Sequence, residues 1–148
     1  MSVTAETRLR QFYALFGGQR FAELRDFLAP DVWYIQINTM TADNSPRGSQ
    51  AVGRQYINWG RWFHGLRIGA LEMTAGSEAQ TRRVGGAEIN FTVRYGLVAR
   101  YAQRMPGMQM MQLPAIGGVV RLVMTDRVWM DGDNRILRVV NSIQPADE

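Results

Sequence analysis

The chain has 148 residues, of which 46% are hydrophobic and 10% aromatic, so we expect one folded domain over residues 1–148 and exclude a disordered protein. Its seventeen basic residues are all arginine and are scattered from Arg8 to Arg138, giving a net charge of +4 without the basic stripe typical of nucleic-acid binding. The chain has no cysteine and one histidine, which excludes disulfides and a two-histidine metal site. Its N-terminus is polar and it has no long apolar run, which excludes a signal peptide and a membrane span. A cytoplasmic protein without membrane contact is therefore expected.

The first half of the chain is predicted to be mainly helical. The segment "TAETRLRQFYALF" has apolar residues at helical spacing and ends at "GGQ", and "RFAELRDFLAP" repeats the pattern up to Pro30. The segment "DVWYIQIN" is a predicted strand, followed by the loop "TMTADNSPRGS". A third helix, "SQAVGRQYINWGRWFHG", places Tyr56, Trp59 and Phe63 on one face, with His64 as a C-terminal cap.

The second half is predicted to be a run of strands, at roughly 66–78, 83–100, 116–130 and 135–144. The segment "MDGDNR" between the last two is typical of a type I′ hairpin turn and lacks the ligand spacing of a calcium loop. Because helices precede strands, the pattern predicts an α+β fold, with a curved antiparallel sheet wrapped over the helices.

Alternation on the strand around Asp126 places this acid on an apolar face. The same face carries Val120, Leu122, Met124, Val128 and Met130. Burying a charge there is costly, so the carboxylate should either pair with an arginine or have a raised pKa. The pattern alone favours neither a structural ion pair nor a functional acid.

The connection "RYAQRMPGMQMMQLPAIGG" is apolar but fits neither strand nor helix periodicity. Its methionines are Met105, Met108, Met110 and Met111. Methionine is unbranched and polarisable, and it suits surfaces that adapt to apolar guests. We interpret Met105 to Met111 as a mobile lid over a binding pocket, with a subunit contact as the alternative. A membrane contact is disfavoured, because "MPGMQMMQ" lacks helical amphipathicity and anchoring charges.

Three segments resemble the NTF2-like superfamily, and more narrowly its ketosteroid-isomerase and SnoaL-like polyketide-cyclase branches. They are "LFGGQRFAELRDFLAPDVWY", "GSQAVGRQYINW" and "TDRVWMDGDNRILRVV". The resemblance implies a cone, in which the sheet curls around three N-terminal helices and leaves a deep, mostly apolar pocket. It also implies a homodimer.

The resemblance assigns roles to individual positions. Asp126 falls where the isomerases keep an aspartic acid that hydrogen-bonds the substrate oxyanion, and Tyr56 matches a tyrosine supporting that site, although a core aromatic is the alternative for Tyr56. Two positions depart from the isomerase pattern. Gln36 stands where the general-base aspartate should be, and Phe12 where the principal oxyanion tyrosine should be, with Tyr13 adjacent. An amide cannot abstract a proton.

The expected pocket therefore holds one acid, Asp126, among neutral groups. The expected substrate-binding residues are Tyr34, Gln36, Asn38, Trp59, Met124 and Asn141. Such a site favours a cofactor-free, metal-free cyclase that folds an apolar small molecule, a polyene or polyketide, for ring closure, including [4+2] closure. A ketosteroid-isomerase-like enzyme and a non-catalytic binding module are the alternatives. An epoxide hydrolase is disfavoured, because Asn141 replaces the acid expected on the last strand.

Overall fold

The computed structural model describes residues 2–37, 44–105 and 113–146. Its helices are α1 (Ser2–Gly17), a 3-10 helix (Phe21–Phe27), α2 (Ser49–Trp62) and the short α3 (Glu78–Thr81). Its strands are β1 (Leu28–Gln36), β2 (Phe63–Ala75), β3 (Ala87–Tyr101), β4 (Val119–Asp131) and β5 (Ile136–Pro145). The predicted order of helix, helix, strand, helix and strand meander is confirmed.

The five strands form one curved, unclosed sheet in the order β1-β5-β4-β3-β2. The meander from β2 to β5 is antiparallel, as predicted. The antiparallel prediction is wrong for β1, which pairs in parallel with β5. Parallel neighbours need a long crossover connection, and here α2 and the first three strands of the meander lie between β1 and β5 in the chain.

One face of the sheet packs against the helices and forms the core. That core is rich in aromatic rings; its largest fully buried side chains include Phe12, Phe16, Tyr34, Trp59 and Phe63. The opposite face carries half-buried and exposed residues, except where α3 covers Asn90 and Trp129, which are 1% and 5% exposed. None of the described helices is long and apolar enough to span a bilayer.

Two predicted helix ends are wrong. The second helix is a single 3-10 segment that ends at Phe27, and Pro30 lies within β1. Proline is tolerated there because β1 is an edge strand and needs fewer ladder donors. The third helix ends at Trp62, so His64 lies on β2 opposite Arg100 instead of capping α2.

Two turns also differ from prediction. The 131–135 loop is not a type I′ turn, because only Asn134 in it has a positive φ, at 59°, and type I′ needs two such residues. Asp131 Oδ1 instead accepts the N–H groups of Asp133 and Arg135, at 2.9 and 3.0 Å. The predicted strand to residue 78 ends at Ala75, since a capping box on Ser77 starts α3.

The methionine-rich connection is described only at its start. Met105 is 1% exposed and belongs to the core, and its N–H donates to the Tyr101 hydroxyl at 3.0 Å. Met105 is thus packed at the start of the predicted lid, and a lid over residues 105–111 stays a prediction. The other predicted lid residues, Met108, Met110 and Met111, lie outside the described residues.

Candidate active site

Asp126 lies at the centre of the inward face of β4. The predicted row of inward residues is buried throughout, and Asp126 itself is only 3% exposed. Its neighbours in register are Val93 on β3 and Asn141 on β5. Alternation thus places a carboxylate in the middle of the apolar core, where it can persist only with hydrogen-bond partners.

Three neutral side chains donate to this carboxylate. Asn141 Nδ2 lies 2.5 Å from Oδ1, and the Tyr13 and Tyr95 hydroxyls lie 2.6 and 3.1 Å from Oδ2. Each donor comes from a different element: β5, α1 and β3. Among the described residues no arginine pairs with Asp126, so the arginine ion pair left open by the sequence is not formed there.

Burial decides the protonation chemistry of the site. Removal of Asp126 from water raises the pKa of its carboxyl, while the hydrogen bonds from Asn141, Tyr13 and Tyr95 oppose that rise. Burial, followed by the nearby Asp126 charge, also raises the pKa values of Tyr13 and Tyr95 well above the usual 10.0. The tyrosines therefore stay neutral donors, and the carboxyl is the group closest to exchanging a proton.

A polar row extends from Asp126 across the sheet. Gln36 on β1 is in register with Asn141 on β5, which is in register with Asp126 on β4. Gln36 is fully buried, and its Nε2 donates to the Tyr34 hydroxyl at 3.1 Å. The structure thus brings four sequence-predicted residues, Tyr34, Gln36, Asn141 and Asp126, into one interior cluster.

The helices close the cluster with aromatic rings. Tyr56 packs edge-on against Phe12 and Tyr34, with ring centroids 5.2 and 5.5 Å apart. The Tyr56 hydroxyl is a buried donor without a hydrogen-bond partner among the described residues, and Asn141 Oδ1 is a buried acceptor in the same condition. Unsatisfied buried polar atoms are uncommon, so these atoms are available to a polar group of a guest.

The interior is packed, so the deep pocket expected around Asp126 is not an open cavity in the part of the chain described. Trp59, Tyr34, Gln36, Met124 and Asn141 are each 0–1% exposed. The predicted residue Asn38 lies outside the described residues. A groove of about 510 Å³ between α1 and β2, largely open to solvent, has Tyr13 among its lining residues, and the Tyr13 hydroxyl donates to Asp126.

Sequence reasoning did not select the two tyrosines that donate to Asp126. It placed the oxyanion-tyrosine position at Phe12, whereas Tyr13, one residue later, carries the hydroxyl that reaches Asp126. It did not select Tyr95, although alternation along β3 puts Tyr95 on the same buried face as Val93 and Leu97. A search for inward hydroxyls on strands next to β4 would have found Tyr95.

The sequence matches no protein-family model and no curated protein. The fold does match solved structures. A Xanthomonas campestris pv. campestris protein assigned as a polyketide cyclase aligns at TM-score 0.66 and 18% identity, over 93% of this chain and 88% of that one.

Two further structures extend the likeness. An NTF2-like protein of unknown function from Exiguobacterium sp. 255-15 aligns at TM-score 0.58 and 15% identity, over 95% of this chain and 99% of that one. A steroid delta-isomerase from Pseudomonas aeruginosa aligns at TM-score 0.57 and 16% identity, over 95% and 80%. At these identities the likeness establishes the fold, which is NTF2-like.

Proposed function

We propose that this protein is a cofactor-free cyclase of natural-product biosynthesis, which folds an apolar polyene or polyketide and polarises one of its carbonyl groups for ring closure. The observation that carries the proposal is the buried Asp126 carboxyl with its three neutral donors. The structural likeness to a protein assigned as a polyketide cyclase supports it. A finer form of the proposal is [4+2] closure, the reaction type proposed for the indane-forming cyclase of indanomycin biosynthesis, because such a closure needs only a folded chain and one polarised carbonyl group.

The chemistry follows from the raised pKa of Asp126. The protonated Asp126 carboxyl donates its O–H to a substrate carbonyl oxygen, or donates it to a tyrosine hydroxyl that then turns its own O–H to the carbonyl oxygen. Either hydrogen bond withdraws electron density from a conjugated chain. Because the interior around Asp126 is packed, the substrate must displace side chains to enter it, and the rings of Tyr56 and Trp59 would then hold the chain in a folded conformation. Ring closure by cycloaddition rearranges electrons within one molecule, so the site needs no second base.

An isomerase is the nearest competing enzyme, and the likeness to a steroid delta-isomerase supports it. Such a reaction moves a proton between two carbons and uses a base to carry it. Gln36, at the position of that base, is an amide hydrogen-bonded to Tyr34. The isomerase proposal would therefore require Asp126 to carry the proton while already accepting three hydrogen bonds.

The test is turnover of a synthetic linear polyene bearing a conjugated ketone, followed by mass spectrometry and NMR for a cyclic product of unchanged mass. Asp126→Asn should lower the rate roughly 10²-fold, the effect of removing a preorganised electrostatic group, while the protein stays folded. The control is Glu88→Gln, which alters an exposed acid on β3.

Three results would reject the cyclase. Binding of the polyene without conversion would indicate a binding module. Proton migration in a β,γ-unsaturated ketone without ring closure would indicate an isomerase. An Asp126→Asn protein that is folded and fully active would show that the acid takes no part.

A further inference from the structure

The cavity between α1 and β2 is a surface groove, largely open to solvent, whose volume and lining are those of a small-molecule site. Its volume of about 510 Å³ lies in the range of roughly 300–1,000 Å³ typical of such sites. Ala14 and Gly17 from α1 face Ile68 and Leu71 from β2, and Tyr13 is also a lining residue. The helix comes close to the strand at Gly17, where a Cβ would lie 2.8 Å from Ile68 Cγ1.

A distortion of β2 shapes the strand side of this cavity. Pairing with β3 shifts register between Gly69 and Glu72, and Ala70 between them has φ 52°. An alanine in this conformation is strained by about 1–2 kcal/mol. Such strain persists only where the surrounding structure requires it and is concentrated at functional sites. The bulge lies next to Leu71, which faces the cavity.

Two arginines give the cavity its charge. Arg10 lies on the α1 side and Arg67 on the β2 side. Arg10 already pairs with the exposed Glu6, whose Oε2 lies 3.2 Å from Arg10 Nε. Arg67 has no carboxylate partner among the described residues. The remaining lining is apolar apart from the tyrosine, so the cavity combines excess positive charge with a surface for hydrocarbon.

We propose that this cavity binds an amphipathic organic acid, with the carboxylate held between Arg10 and Arg67 and the hydrocarbon against Ala14, Ile68 and Leu71. Guanidinium groups bind carboxylates through paired N–H donors. The site is distinct from the Asp126 carboxyl but shares Tyr13 with it, since the Tyr13 hydroxyl donates to Asp126. The inference concerns binding and stands whether or not Asp126 supports ring closure.

The probe is decanoate, used below its critical micelle concentration. Decanol, which has the same chain length but no charge, is the control ligand. Binding is measured by calorimetry and by amide chemical shifts of ¹⁵N-labelled protein. Decanoate should bind more tightly than decanol and should shift the amides of Ala14, Gly17 and Ile68. Arg67→Gln should weaken decanoate binding roughly two- to fivefold, as expected for an exposed ion pair, without changing decanol binding.

Matched variants separate this site from general attraction to a basic protein. Arg83→Gln removes an exposed arginine from the turn after α3 and should leave decanoate binding unchanged. Ala14→Phe fills the cavity from an exposed helix position and should abolish binding, whereas Gln11→Phe on the same helix should not. Glu6→Gln releases Arg10 and should tighten binding.

The proposal is overturned if decanoate fails to bind, if decanol binds equally well, or if Arg67→Gln and Arg83→Gln have the same effect. It is also overturned if folded Ala14→Phe protein, verified by its melting temperature, binds as the unaltered chain does.

Discussion

Asp126 makes the stability of this protein depend on pH. Because burial raises its pKa in the folded state, the folded protein binds the proton more tightly than the unfolded chain. The resulting stability is fully present below the unfolded-state pKa and is lost as pH rises through the folded-state pKa. Asp126→Asn, which mimics the protonated acid, should therefore gain stability relative to the unaltered chain as pH rises.

Urea unfolding of both proteins from about pH 4 to about pH 8 checks this dependence. The difference in free energy of unfolding should grow across the range in favour of the asparagine variant and then level off. A difference growing in the opposite direction would mean that the three hydrogen bonds outweigh burial and lower the pKa of Asp126.

The two buried amides near Asp126 should not be equivalent. Asn141→Leu leaves Oδ1 of a buried carboxylate without its donor, at a cost of about 1–3 kcal/mol, whereas Gln36→Leu removes a hydrogen bond to Tyr34, at about 0.5–1.5 kcal/mol. Loss of the Asn141 hydrogen bond also removes the strongest of the interactions that lower the pKa of Asp126.

The pH profile of kcat for the two variants distinguishes these roles. The apparent pKa assigned to Asp126 should rise in Asn141→Leu and stay in place in Gln36→Leu. Equal shifts in both variants would show that Gln36 also acts on the carboxyl.

At the scale of elements, the sequence predicts which residues of a strand face inward better than it predicts which residues of other elements contact them. Period-two alternation on β4 places Asp126 inward whatever the register, and the structure confirms that burial. The contact from Tyr13 to Asp126 spans 113 residues, and helical periodicity cannot say which of two adjacent aromatic residues reaches across. The neighbours Gln36 and Asn141 depend on parallel pairing of β1 with β5, for which the sequence has no local signal.

Substitution of Met105, four residues after the end of β3, tests where the core ends and a lid could begin. Met105 is 1% exposed, so Met105→Ala should lower the free energy of unfolding by about 2–5 kcal/mol. Met73→Ala on β2, where the side chain is half-buried, is the control and should cost less. Chemical denaturation provides the measurement. Unchanged stability in Met105→Ala, with weaker retention of substrate, would favour a lid role for Met105 over a core role.

The two sheet faces give the whole molecule an asymmetry. The inner face is covered by helices, whereas the outer face presents half-buried aliphatic residues such as Val123 and Val140, bordered by exposed Arg94 and Arg121. At the β1 end of this face, the Arg138 guanidinium lies between two indoles, 4.6 Å from the Trp33 ring centroid and 5.5 Å from that of Trp129. Stacking of this kind covers the rings on that side, while the aliphatic centre has no such cover among the described residues.

We expect the proposed homodimer to form through this aliphatic centre, because burial of such a patch is favourable and the helical face is already occupied. Two copies would bring their bordering arginines together, so added salt should strengthen association by screening that repulsion. Val123→Arg adds a further cation at the centre and should yield a folded monomer. Ile57→Arg, at a 37% exposed position on α2, should leave association unchanged. Sedimentation equilibrium at several protein and salt concentrations measures the association. A Val123→Arg protein that still dimerises, or a dimer that dissociates as salt rises, would show that the dimer contact lies elsewhere on the molecule.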